Sequence, residues 1–232
     1  MGTFLVIARH GNTFLPDETP RRVGSGTDLP LTETERGRNI GRYLRDNGLI
    51  PSSVYAAPLL RTIQTARAAI EAANLATEVS ILDDFVEIDY GPDENKTEEE
   101  VELRLGGGVR EKGREIISRW NRYAIVPEGW KVNPDKIIST WLDFAANTVM
   151  SNHRNETTLL VTSNGIIRFA PHLTGDFELF ASRHQIKVST GSLCIFEKQN
   201  DEKFWTCRAW GLKPSLESGL QEPGARITGS KT

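Results

Sequence analysis

Short apolar runs alternate along this chain with longer stretches in which apolar residues recur every three or four positions. Residues 3–8 (TFLVIA) have the length and character of a buried strand, and polarity arrives abruptly after them at Arg9-His10-Gly11. The stretch from Asp28 to Leu49 reads as a helix: Thr32 and Glu35 have the spacing of a capping box, and Ile40, Tyr43 and Leu44 make its apolar stripe. Gly37 and Gly41 permit close approach, Gly48 suits a left-handed stop, and Pro51 bars continuation. SVYAA (53–57) predicts a second strand, Pro58 a first helical position, and residues 59–75 the helix after it. EVSIL (78–82) predicts a third strand. This β-α-β-α-β alternation argues for a parallel sheet covered by helices.

The rhythm breaks at about 88–132. That segment holds an acidic run, Gly106-Gly107-Gly108 and a helix-like EKGREIISRWNRY, and reads as an inserted helical cap. A solvated acidic helix followed by a loop is the plainer reading of its first part. Residues 134–154 restore an amphipathic helix. TTLLVT (157–162) predicts a fourth strand, GIIRFAPHL (165–173) a helix, and QIKVST (185–190), SLCIFEK (192–198) and FWTCRAW (204–210) further strands, the last two antiparallel. In such a hairpin Cys194 falls opposite Cys207. Two reduced core thiols are expected there rather than a disulfide, in a chain expected to be cytoplasmic. The expected fold is a three-layer α/β/α sandwich with a mainly parallel sheet. It forms a single domain over 1–212 with the cap insertion at about 88–132, and residues 213–232, rich in Gly, Pro, Ser and Lys, form a mobile tail.

The net charge of −3 offers no broad basic surface for nucleic acid or membrane. No apolar run approaches the ~20 residues of a bilayer span, and no secretory leader is visible. The expected partner is a phosphorylated small molecule or phosphoprotein, with neither nucleic acid nor membrane.

Candidate chemistry gathers where strands end. In an open α/β sheet, ligands bind beyond the carboxyl ends of the strands. Arg9, His10 and Gly11 follow the first strand, Ser163-Asn164-Gly165 follow the fourth, Arg61 lies in the turn after the second, and Glu87 follows the third. A neutral imidazole is a competent nucleophile toward phosphorus, two arginines disperse phosphoryl charge, and a buried carboxylic acid can protonate a leaving oxygen. Gly11 would let the backbone approach a phosphate closely.

These residues carry a family resemblance. ARHGNT resembles the RHG signature of the histidine phosphatase superfamily, also called phosphoglycerate mutase-like. TDLPLTETERG, APLLRTIQTA, VEIDYG and LLVTSNGIIR are similar to that family's later motifs, in order, over roughly residues 3–198. The resemblance implies a phosphatase of that fold with no metal or organic cofactor. It makes His10 the residue that is phosphorylated, Glu87 the proton donor, and Arg9 and Arg61 phosphate ligands.

Two positions depart from the pattern: Asn164 stands where the family usually has a histidine, and Pro16 where it often has an asparagine. Asn164 can donate a neutral hydrogen bond but carries no charge. Asn12 is a candidate for the lost amide contact, Lys187 for the missing charge, and Thr13 is a further candidate for the phosphate site.

Each residue also has a structural reading. Asn164 would serve as a helix N-cap, Arg61 could pair with a surface carboxylate, and Asp83, Asp84 and Asp89 compete with Glu87 for the acid. Arg21 and Arg22 read as part of a solvated loop, and His153, His172 and His184 as surface or core histidines. Two alternative activities stay open. One is a mutase-type phosphotransferase; the other is a low-activity or inactive phosphate-binding protein, which Asn164 motivates.

Overall fold

The computed structural model describes residues 2–214. Its six strands are β1 Thr3–Arg9, β2 Pro51–Ala56, β3 Val79–Ile81, β4 Thr157–Thr162, β5 Leu193–Lys198 and β6 Thr206–Leu212. They form one sheet in the order β3-β2-β4-β1-β5-β6. The first four in that order run parallel; β5 is antiparallel to β1, and β6 to β5.

The two-residue period of β1 sorts its side chains onto two cores. Val6 and Ala8 face a layer made with Ile40 and Leu44 of α1 (Glu35–Asp46) and Ala66 and Ala69 of α2 (Leu60–Ala73). Leu5 and Ile7 face the other layer, with Trp120, Trp141 and Phe144. The sheet is thus sandwiched as the alternation predicts. Gly41 is needed where α1 meets α2, because any Cβ there would overlap the carbonyl oxygen of Ala69. The segment that breaks the alternation holds two helices, α3 (Glu98–Leu105) and α4 (Arg110–Tyr123).

Several local expectations fail for identifiable reasons. The capping box is not at Thr32 and Glu35. Helix α1 starts at Glu35 after Thr34, the Thr32 hydroxyl donates instead to Asn12 O, and the Glu33 carboxylate accepts from Arg36 N. A complete box forms instead at Thr97 and Glu100, capping the acidic run. Helix α2 begins two residues after Pro58, with Leu60 N donating to the Asp28 carboxylate.

Residues 134–152 are not one regular helix. They form α5 (Pro134–Asp143), a π-helical stretch Phe144–Val149 and α6 (Met150–Asn152). Residues 165–173 likewise split, into α7 (Asn164–Ile167) and a 3-10 turn Ala170–Thr174, where Pro171 has no N–H to continue the helix. QIKVST pairs with no strand; it is a loop after α8 (Phe177–Arg183). In the last hairpin, register shifts set Cys207 opposite Phe196 rather than Cys194, and both thiols are free. The predicted tail lies almost wholly outside the described residues. Among those residues no helix is long and apolar enough to cross a membrane.

Candidate active site

Strands β1 and β4 run side by side, with Arg9 opposite Thr162. The ladder continues one step further, since His10 N donates to Thr162 O at 3.1 Å. His10 therefore leaves the sheet beside Ser163, and the next residues, Gly11 and Asn164, begin the divergence of the two chains. Both His10 and Asn164 are buried, and both line a cleft of about 780 Å³. Glu87, Arg9, Asn12, Thr13 and Lys187 line the same cleft. Seven of the nine residues singled out from the sequence are thus brought together. The other two, Arg61 and Gly11, are buried and lie outside its lining.

His10 is held in one tautomer. Its Nδ1 lies 2.7 Å from Gly11 O, and a carbonyl can only accept, so Nδ1 carries the proton and Nε2 keeps its lone pair. Burial depresses the His10 pKa well below its ordinary value, and the charges of Arg9 and Arg61 push in the same direction. The ring is a neutral base surrounded by cations. Gly11 is fixed in turn: its N donates to the Thr65 hydroxyl at 2.9 Å, which donates to Arg61 O at 2.7 Å. A side chain at Gly11 would press on Leu31.

Among the described residues Arg61 pairs with no surface carboxylate. It is fully buried, and its guanidinium donates to the carbonyls of Thr27 at 2.7 Å and of Val23 and Gly24 at 3.2 Å. Its Nε has no partner among the described residues. Arg61 thus ties the loop 23–27 to the floor of the site while contributing its charge to His10.

Of the four candidate carboxylates, Glu87 is the one that lines the cleft. It is buried, whereas Asp83, Asp84 and Asp89 do not line the cleft. Its two oxygens accept from Ile88 N at 2.9 Å and Gly165 N at 3.2 Å. Burial raises its pKa, against the opposing effect of those amides and of Arg61 and Arg9. The glycine after Asn164 is required here, because a Cβ at 165 would overlap the Glu87 carboxylate.

Asn164 does not act as a helix N-cap. Ser163 holds that position, and Asn164 Oδ1 instead accepts from Val188 N at 3.0 Å. Val188 O accepts from Arg9 Nη1 at 2.6 Å, so both main-chain groups of Val188 are held by residues of the site. Asn12 Oδ1 accepts from the Thr190 hydroxyl at 2.6 Å on the same loop.

Five further residues stand at the site although the sequence reading gave them no role there. Ser163 is fully buried beside His10, and its hydroxyl has no partner; the parallel register could have located it. Arg168, four residues after Asn164 and so one turn along, is 2 % exposed and lines the cleft. Burial lowers its pKa to about 10. Arg22 is no member of a solvated loop. Its guanidinium sits over Tyr90 and Trp130, donates to Glu98 at 2.6 Å, and lines the cleft, as do Arg21 and Tyr90. None of the three remaining histidines lines it. His153 meets the Tyr55 hydroxyl, and His172 and His184 stack on Phe177 and Phe180.

An α/β sandwich that presents a neutral, cation-flanked histidine and a buried carboxylic acid at its strand ends defines a class of anion-transforming site. The chain belongs to the histidine phosphatase superfamily, branch 1, whose family model matches residues 5–213. No curated protein matches the sequence significantly. Among solved structures, phosphoglycerate mutase from Bacillus anthracis superposes with a TM-score of 0.72 at 18% identity, over 91% of this chain and 94% of that one. A mycobacterial glucosyl-3-phosphoglycerate phosphatase gives 0.67 at 16% identity, over 91% and 100%. A mutant phosphoserine phosphatase from Entamoeba histolytica, in complex with phosphoserine, gives 0.65 at 17%, over 89% and 95%.

Proposed function

We propose that the protein is a phosphomonoester hydrolase working through a phosphohistidine on His10. The observation that carries this reading is the His10 tautomer: Nδ1–H is spent on Gly11 O, which leaves Nε2 unprotonated at ordinary pH. In the first step Nε2 bonds to phosphorus as the ester P–O bond breaks, and the Glu87 carboxyl gives its proton to the departing oxygen. In the second step Glu87, now ionised, takes a proton from water as that water attacks phosphorus and the P–N bond breaks. Arg9 and Arg61 stabilise the charge on the transferring group, Arg61 through its field from beneath. The amide of Asn164 stays close to the phosphoryl oxygens, with Asn12 and Thr13 at the rim, while Gly11 serves by fixing the His10 ring through its carbonyl rather than by touching phosphate.

The two helices of the segment at 88–132 form a cap over the leaving-group side of one domain. Two free thiols fit a reducing compartment, the cytoplasm. The test is an aryl phosphate assay on wild type and His10→Ala, with acid quench to trap phosphoenzyme. Turnover and an acid-labile phosphoryl adduct that both vanish in the variant support the reading. Phosphate binding with equal, negligible turnover in both proteins overturns it in favour of a phosphate-binding protein.

A further inference from the structure

The mouth of the cleft differs in kind from its floor. The floor is built of buried polar groups, His10, Glu87 and Asn164. Toward solvent, the loop after β1 contributes Phe14, Leu15, Pro16, Pro20 and Val23 to the lining. Phe14 and Val23 are half-buried, and Leu15, Pro16 and Pro20 are exposed. Single exposed apolar side chains are ordinary on a protein surface; a group of them on one loop over a reactive cleft is not. Among the described residues, Leu15, at 50 % exposure, is the one large exposed apolar side chain that lines the cleft. Pro16 stands where the family often has an asparagine, so no side-chain amide is offered at that point of the rim.

The polar side chains of this loop that line the cleft are already committed. The Glu18 carboxylate accepts from Leu15 N at 2.7 Å, and Glu18 N donates to Leu15 O at 3.1 Å. Arg21 donates to Asn95 O at 3.1 Å, and Arg22 to Glu98 at 2.6 Å. What the loop has left to present is hydrocarbon. It is also fastened at both ends. Asn12 O accepts from Thr32 N at 2.9 Å, Arg22 N donates to Lys96 O at 2.9 Å, Arg22 O accepts from Asn95 N at 2.8 Å, and Val23 O accepts from Arg61. Between those ends Pro16 and Pro20 fix their own backbone angles. A wall ordered before its ligand arrives loses little entropy on binding.

The chemistry at His10 fixes what meets this wall. A phosphoryl group against the imidazole occupies the floor, so the rest of the ester extends outward past the loop. We propose that Phe14, Leu15, Pro16, Pro20 and Val23 form an apolar wall for the leaving group, so that the substrate is a phosphomonoester of an alcohol bearing an aromatic ring or a hydrocarbon chain. The proposal rests on the hydrolase reading above and narrows it to apolar esters.

The test compares kcat/KM of the full chain on glycerol phosphate, hexyl phosphate and phenethyl phosphate. All three release primary alkoxides, so the comparison reads contact with the wall rather than leaving-group reactivity. A preference of about tenfold or more for either apolar ester over glycerol phosphate supports the wall, and the better of the two shows whether ring or chain fits it. L15N and P16N should each cut that preference by about fivefold. I50N, at a side chain as exposed as Leu15 but outside the cleft lining, should leave the preference unchanged. Leu15 is exposed, so L15N does not disturb the core and carries the test if P16N loosens the loop. Equal kcat/KM on all three esters, or an unchanged ratio in L15N, overturns the proposal. Should wild type turn over none of them, the hydrolase reading fails on its own and the wall is read from thermal protection. Greater protection by hexyl or phenethyl phosphate than by glycerol phosphate, reduced in L15N, supports it; equal protection overturns it.

Discussion

The ends of β1 and β4 lie side by side in the sheet and have the same form: a buried strand, a polar pair, a glycine. Their chemistry has diverged. At the β1 end, Arg9 and His10 are both chemically available, the imidazole held as a neutral base and Arg9 with an unpartnered Nε. At the β4 end, Ser163 carries no charge and Asn164 has committed its side-chain oxygen to Val188. Its glycine, Gly165, serves Glu87 by giving an N–H and leaving room. The comparison teaches that one strand end presents an open imidazole and guanidinium, while the other spends its polar groups on holding its neighbours.

That division breaks first at His10. His10→Ala should lower turnover of an aryl phosphate by about 10³-fold or more and abolish phosphoenzyme, in a quench-flow assay with a melting curve as the control for folding. Glu87→Gln comes next, with a loss of about 10²–10⁴-fold on alkyl phosphates and less on aryl phosphates, whose leaving groups need no proton.

The same pair sets the pH profile. His10 is depressed below its usual 6.5, so the acid limb falls below that value; Glu87 is raised above its usual 4.5, so loss of its proton sets the alkaline limb. Glu87→Gln should remove the alkaline limb and keep the acid one. For stability the sign follows from proton uptake. Below 6.5 the unfolded chain binds a proton at His10 that the folded chain refuses, so stability falls as pH drops through that window. His10→Gln should flatten that slope in melting curves.

At the β4 end the effects shrink. Gly165→Ala pushes a methyl against the Glu87 carboxylate, and kcat should fall by about tenfold with a displaced alkaline limb. Asn164→Ala leaves Val188 N unpaired, at a cost of about 1–3 kcal/mol in unfolding free energy. If Asn164→Ala instead matched His10→Ala in lost turnover, with stability intact, the two strand ends would be equal partners in the chemistry.

Much of this arrangement was legible in the chain. Apolar runs that stop on Arg9-His10 and on Ser163-Asn164 located the strand ends, and the strand-end rule gathered them with Glu87 around one cleft. Arg168 was not legible because a lone arginine in an apolar helical stretch gives no sign of being swung over Trp120, a residue 48 positions away. Arg22 was hidden for a like reason, since the ring pair that buries it, Tyr90 and Trp130, comes from the segment with the weakest pattern. The mispaired cysteines fail differently: a bulge in β5–β6 moves the register, and alternation alone cannot place an extra residue. The box at Thr97 and Glu100 shows that a spacing of three names a possible cap, and the surrounding fold decides which copy is used.

Val188 is gripped from both sides, its carbonyl by Arg9 and its amide by Asn164. The neighbouring ammonium of Lys187 therefore hangs on a tether anchored at both strand ends. The loop that carries it cannot shift without breaking a hydrogen bond to one strand end or the other.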